Sequence, residues 1–174
     1  MRKLSILSYI FAGLMLSSCD GYLKEDPRDQ LYPEDAYDTP QNGYLNTVAS
    51  LYNYIGGYSD SQGLQGTYRG VYDLNTFTTD EAMLPTRGGD WYDGGFWQGL
   101  FLHKWGTNSD AIQATWEYLY KVIVLSNQSL EILGELRQKT DYNDLDRYEA
   151  EVRAFRAMYY YYLVDMFGRV PLIV

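Results

Sequence analysis

Three stretches of the chain carry apolar residues at helical spacing, with polar, glycine-rich sequence between the first two. Thr39-Pro40 marks the first start, a capping hydroxyl followed by Pro at the first helical position. Tyr44, Leu45, Val48, Leu51, Tyr52 and Ile55 then trace one stripe, and Gly56-Gly57 ends it. A shorter helical piece is predicted over 34–37. A short helix is also predicted over 71–77, before Thr79-Asp80-Glu81. Asn108, Ser109 or Asp110 can cap the second long pattern, whose stripe is Ile112, Trp116, Leu119, Tyr120, Ile123, Leu130 and Leu133. Asn127 lies on the same stripe, so its amide needs a hydrogen-bonding neighbour. Asp146 and Glu149 have capping-box spacing, and Val152, Phe155, Tyr159, Tyr162 and Met166 follow. Gly168 and Pro171 stop that helix. No segment alternates as a strand should, and the class predicted is all-α.

The last two helices, joined by the polar connection 138–146, read as an αα-hairpin, the unit of helical repeat proteins. No second copy appears at the period of a tetratricopeptide array. Val170 to Val174 is apolar with no polar tail. Helical arrays need polar ends, so the expectation is an incomplete domain. Residues 56–70 read as loop. Residues 85–99, PTRGGDWYDGGFWQG, hold five Gly with two Trp, a Tyr and a Phe. That much glycine disfavours a regular helix, so the reading is a loop with aromatic character.

Composition sharpens the picture at the N-terminus. Arg2 and Lys3 precede an uncharged, mostly apolar run over 4–16, too short for a confident span at ~20 apolar residues. It fits a secretory signal over 1–18. Leu16-Ser17-Ser18-Cys19 looks like a bacterial lipoprotein cleavage box, with Cys19 as the acylated first residue of the mature chain. Acyl chains would anchor the protein at ~0.8 kcal/mol per buried methylene. Residues 19–32 then form lipidated Cys and linker, and 33–174 the helical domain. The net charge of -9 argues against nucleic acid. One Cys and one His leave no disulfide framework or Cys/His metal site, and no cofactor is implied. The 19 Tyr exceed what a core readily satisfies, which suggests wet aromatic surface.

The candidate chemistry concentrates in the aromatic loop. Sugars present flat C–H faces and a rim of hydroxyls. Trp91 and Tyr92 can cover a face, and Arg87, Asp90 and Asp93 can bond the rim. Trp91 and Trp97 can equally pack the loop against the helices. Trp105 and Trp116 are expected in the core. Asp80, Glu81, Asp90 and Asp93 raise a glycosidase reading, with carboxylates ~5 to 9.5 Å apart, but sequence spacing does not establish that geometry. Asp80-Glu81 is more simply a loop or cap pair. His103 is expected as an ordinary surface or core residue. Tyr159 to Tyr162 point all round their helix, so at most two face the core. Arg153 and Arg156 share a side, with Glu149 placed for a structural ion pair.

At this point the sequence resembles the SusD/RagB family. The carrying segments are LSSC, YLKEDPRDQLYPEDAY, TTDEAMLPTRGGDWYDGG and AEVRAFRAMYYYYLVDMFGRVPLIV. The resemblance implies an all-helical, tetratricopeptide-like fold with long irregular loops, of which this chain matches the N-terminal part. It implies a surface lipoprotein of Bacteroidetes outer membranes, facing the exterior. Such a protein is not an enzyme; it captures oligosaccharide or another nutrient and passes it to a SusC-type, TonB-dependent transporter. In the starch-binding member an Arg after a Tyr, upstream of T-D-E, contacts glucan. Here Tyr68-Arg69 occupies that spacing, and Arg69 joins Arg87, Asp90, Trp91 and Tyr92 as a candidate. The segment after Glu81 differs, so the substrate is not fixed by the match. The alternative is a helical-repeat lipoprotein that scaffolds other proteins without binding glycan.

Overall fold

The computed structural model describes residues 35–56, 63–64 and 70–174, and the features predicted for 1–34, including Cys19, the linker and the signal, lie outside them. The described chain opens with a 3-10 turn, Asp35–Tyr37. Helix α1 follows in three parts: α-helical Pro40–Tyr44, a π-helical turn Leu45–Ala49, and α-helical Ser50–Tyr52. Thr39 caps it as predicted, its hydroxyl accepting the Asn42 N–H at 3.1 Å. The π turn was not legible in the pattern. There the Ser129 hydroxyl donates to the Thr47 carbonyl at 2.9 Å, and a side chain inserted in the helical ladder is a common cause of such an opening.

Helix α2 is Val71–Phe77. An extended stretch, Gly88–Trp91, leads through the 3-10 turn Asp93–Gly95 into α3, Phe96–Phe101. The glycine-rich segment is therefore loop only as far as Gly95; Phe96 to Gly99 already belong to a helix. The long helices are α4, Asp110–Lys139, and α5, Leu145–Phe167. The expected capping box at Asp146 is absent. The helix starts at Leu145, with Asp144 rather than Asp146 at the cap position, and Arg137 of α4 takes both carboxylates, Asp146 at 2.7 Å and Glu149 at 2.9 Å. That clasp closes the hairpin loop. Glu149 also meets Arg153 at 3.5 Å, the ion pair expected.

Tyr37–Val174 forms one compact unit with two apolar clusters. The main cluster joins α1 to the hairpin through Val48, Leu119, Ile123, Leu133, Val152 and Leu163. Full burial of such side chains contributes ~1.5–3 kcal/mol each. On α1, Gly43 faces the Leu136 side chain, which a Cβ would meet at an ordinary contact distance of 3.5 Å. The smaller cluster, Leu74, Trp97, Leu100 and Ala111, ties α2 and α3 to the start of α4.

Tyr52, Tyr72, Tyr92 and Tyr161 are exposed, in keeping with the expectation of wet aromatic surface, while other tyrosines serve inside the fold. Tyr118 and Tyr159 are buried with their hydroxyls 2.8 Å apart, and Tyr118 donates to the Tyr54 carbonyl. Tyr142 donates to the Asp38 carbonyl at 2.7 Å, and Tyr120 to the Pro171 carbonyl at 2.8 Å. Tyr160 both accepts the Ile173 N–H and donates to its carbonyl. The phenols thus clasp backbone segments that have no helix of their own. Asn127 finds its neighbours in Arg156, at 2.8 Å, and the Ile173 carbonyl. Of the four consecutive tyrosines, Tyr159 is fully buried and Tyr161 is exposed.

Candidate functional site

The aromatic loop is anchored at both ends by the smaller cluster. Leu84 packs against that cluster, and Gln98 of α3 donates to the Leu84 carbonyl at 3.3 Å. At the other end Trp97 is buried between Phe77 and Phe96, at ring separations of 5.0 and 4.9 Å. Trp97 therefore packs the loop rather than facing solvent. Between the anchors the chain turns on Gly88-Gly89. Arg87 and Asp90 exchange backbone hydrogen bonds at 3.3 and 3.0 Å, and both glycines have positive φ, 62° and 111°. Such a turn favours glycine at both central positions. Trp91 and Asp93 then take φ of 59° and 45°, left-handed values that L residues seldom adopt. Non-glycine residues held there often mark functional sites.

The consequence is a loop tip with its rings out. Trp91 is 58% exposed and Tyr92 55%. Arg87 and Asp90 are exposed beside them. Four of the five sequence-predicted binding residues are thus brought to one loop; the fifth, Arg69, lies outside the described residues. Thr79-Asp80-Glu81 forms the turn that closes α2: the Thr79 hydroxyl donates to the Thr76 carbonyl at 2.7 Å and accepts the Glu81 N–H at 3.2 Å. The capping bonds are those of Thr79, and Asp80-Glu81 lies in the turn, the loop alternative of the expectation.

Trp105 departs from the expectation of a core position: it is 46% exposed. Residues 102–108 are exposed throughout, and the indole is exposed with them. His103, also exposed, holds it edge-on at 5.3 Å and is itself bonded through Nε2 to the Thr78 carbonyl at 2.7 Å. Trp116 is half-buried, against Phe167 at 5.0 Å and Tyr120 at 4.8 Å. Trp105 borders two hollows. One, of about 420 Å³, lies over Gly94, Gly95 and Gly99, with Lys104 and Asn108 at its rim. The other, of about 320 Å³, opens between α2 and α5, with Asn75, Thr78 and Asp165 as its polar lining. Both fall in the size range of small-molecule pockets, ~300–1,000 Å³. Among the described residues no group of His, Cys, Asp or Glu is arranged to hold a metal ion. No described helix is long and apolar enough to cross a membrane.

An all-helical hairpin carrying an exposed Trp-Tyr loop invites comparison with known families. The model of a SusD-like family described as starch-binding, associating with outer membrane, matches residues 37–174. The chain belongs to the SusD-like family. SusD-like protein P25 of Formosa agariphila is 25% identical over 175 residues, spanning 98% of this chain and 31% of that protein. The SusD-like chain thus covers about a third of the length of that relative. No solved structure matches it. The matched region contains every element described above from α1 onward, the aromatic loop and Trp105 included.

Proposed function

We propose that this SusD-like chain belongs to a lipid-anchored outer-membrane protein that captures oligosaccharide and hands it to a TonB-dependent, SusC-type transporter. The observation that carries the reading is the tip of the aromatic loop. Trp91 and Tyr92 stand more than half exposed on a backbone held in an uncommon conformation. A solvent-facing indole in a left-handed position does not serve packing, and sugar C–H faces are what such rings cover. Arg87 and Asp90 supply donors and acceptors for hydroxyls. The mechanism is binding and release, with no bond made or broken. The family description, starch-binding and outer-membrane association, supports the same reading. So does the sequence around Cys19, read as an acylation site that places the domain at the membrane on a tether.

Calorimetry with linear maltooligosaccharides tests it on the full-length protein. Binding is expected, and Trp91→Ala or Arg87→Ala should weaken it at least about tenfold. Absence of affinity for any oligosaccharide, with a protein partner recovered instead, would establish the scaffold alternative. Cys19→Ser should release the protein from envelope fractions.

A further inference from the structure

The hollow between α2 and α5 has no role in the reading above, which rests on the loop tip. We propose that it binds a small organic ammonium ion, with Asp165 meeting the charge and Trp105 and Phe167 covering an apolar body. The proposal stands apart from the glycan reading and does not depend on it.

Three observations carry it. First, the lining holds a single ionisable group. Asp165 is exposed at the mouth, and Asn75 and Thr78 supply neutral polar groups. Among the described residues Asp165 has no ion-pair or hydrogen-bond partner. Lys104 lines the other hollow and not this one, and Arg169, beyond the helix end, lines neither. Second, Asp165 sits in the last turn of α5, which carries no basic residue. The carbonyls at a helix C-terminus add partial negative charge, so a carboxylate there is unfavourable until a cation joins it. Third, the rest of the lining is apolar, with Leu74, Leu100 and Met166 beside the two rings. Both rings are held before any ligand arrives: His103 stands edge-on to Trp105 at 5.3 Å, and Trp116 to Phe167 at 5.0 Å. Aromatic faces attract cations, indole most strongly, and a platform fixed in advance loses little entropy on binding.

These features select the ligand class. An anion would meet both the carboxylate and the negative end of the helix. A hydrated metal ion would leave the apolar lining unused. An ammonium group can stay at the wet mouth while its apolar body lies inside, as long cationic side chains do on protein surfaces. The volume of about 320 Å³ is at the small end for ligand pockets, which suits a body of about one ring.

The test titrates full-length protein with 2-phenylethylamine, 2-phenylethanol and 3-phenylpropionate by calorimetry. The amine is expected to bind at least about tenfold more tightly than the alcohol, and the carboxylate more weakly still. Salt should weaken the amine, since the attraction is partly solvent-exposed. Asp165→Asn should bring amine and alcohol within about twofold, and Asp165→Glu should keep the preference. Trp105→Ala should weaken the amine about tenfold, Trp105→Phe less, and all four variants should keep the wild-type melting temperature. The amine should bind equally with and without saturating maltoheptaose. Equal affinity for amine and alcohol in the wild type overturns the proposal, as does a preference that survives Asp165→Asn. Competition with maltoheptaose would move the amine to the glycan site and overturn it too, while leaving the loop-tip reading intact. A lysine-bearing peptide that binds where the free amine does not would overturn it in favour of a protein partner.

Discussion

Trp91 separates binding from stability at the scale of one residue. Its ring is mostly in solvent and its backbone left-handed, a conformation disfavoured by ~1–2 kcal/mol for an L residue. Trp91→Gly should therefore leave the melting temperature unchanged or raised while removing glycan affinity. A core residue would do the reverse. The buried phenol pair is such a core element. Tyr118→Phe is expected to cost about 1–3 kcal/mol in urea unfolding, since it deprives both the Tyr54 carbonyl and the Tyr159 hydroxyl of a partner. Burial pushes the Tyr159 hydroxyl up to about 12 and Tyr118 further in the same direction. Because the folded values exceed the unfolded ~10, the native state holds protons that the unfolded chain has lost. Stability is fully present below pH ~10 and falls as pH rises toward and through the folded values. Tyr159→Phe should flatten that fall in unfolding titrations from pH ~9 to ~12.

The elements divide into a hairpin core and a smaller cluster that carries the loop. Leu133 and Leu100 are both buried, one in each. Leu133→Ala should lower global stability by ~2–5 kcal/mol, whereas Leu100→Ala should mainly loosen α2, α3 and the aromatic loop. Amide hydrogen exchange distinguishes them: the second variant keeps protection in α4 and α5 and loses it around Phe96 to Phe101. Most of this was legible beforehand. The stripes on α4 and α5 predicted the hairpin, and Thr39-Pro40 predicted the start of α1. The π turn was not, because it depends on Ser129 reaching across from another helix. The start of α5 was misjudged for a similar reason: Arg137, across the hairpin loop on α4, takes the carboxylates that a local capping rule would use. Trp105 escaped because large aromatics are core by default, and only the neighbouring turn, with His103 at φ 55°, shows it swung outward.

For the whole molecule, charge decides which partners to expect. With 23 acidic against 14 basic side chains, the chain has no electrostatic pull on polyanions. Binding of neutral oligosaccharide should be nearly unchanged between low and high salt, in contrast to the steep slopes of phosphate-backbone binders. Competition with heparin should have no effect, and a marked salt slope would contradict the neutral-ligand reading. Family membership accounts for the architecture, since the matched region runs through both clusters and the loop between them.

The Gly88-Gly89 turn has a practical corollary. Its shape is set by backbone dihedrals and a reciprocal pair of amides rather than by surrounding side chains, and nothing lies within 4 Å of where either glycine's Cβ would be. The residues just beyond it can be swapped as a cassette without disturbing the scaffold. Exchanging Trp91-Tyr92 for other ring pairs would make this loop a place to reprogramme recognition, or to install an environment-sensitive fluorophore that reports occupancy directly.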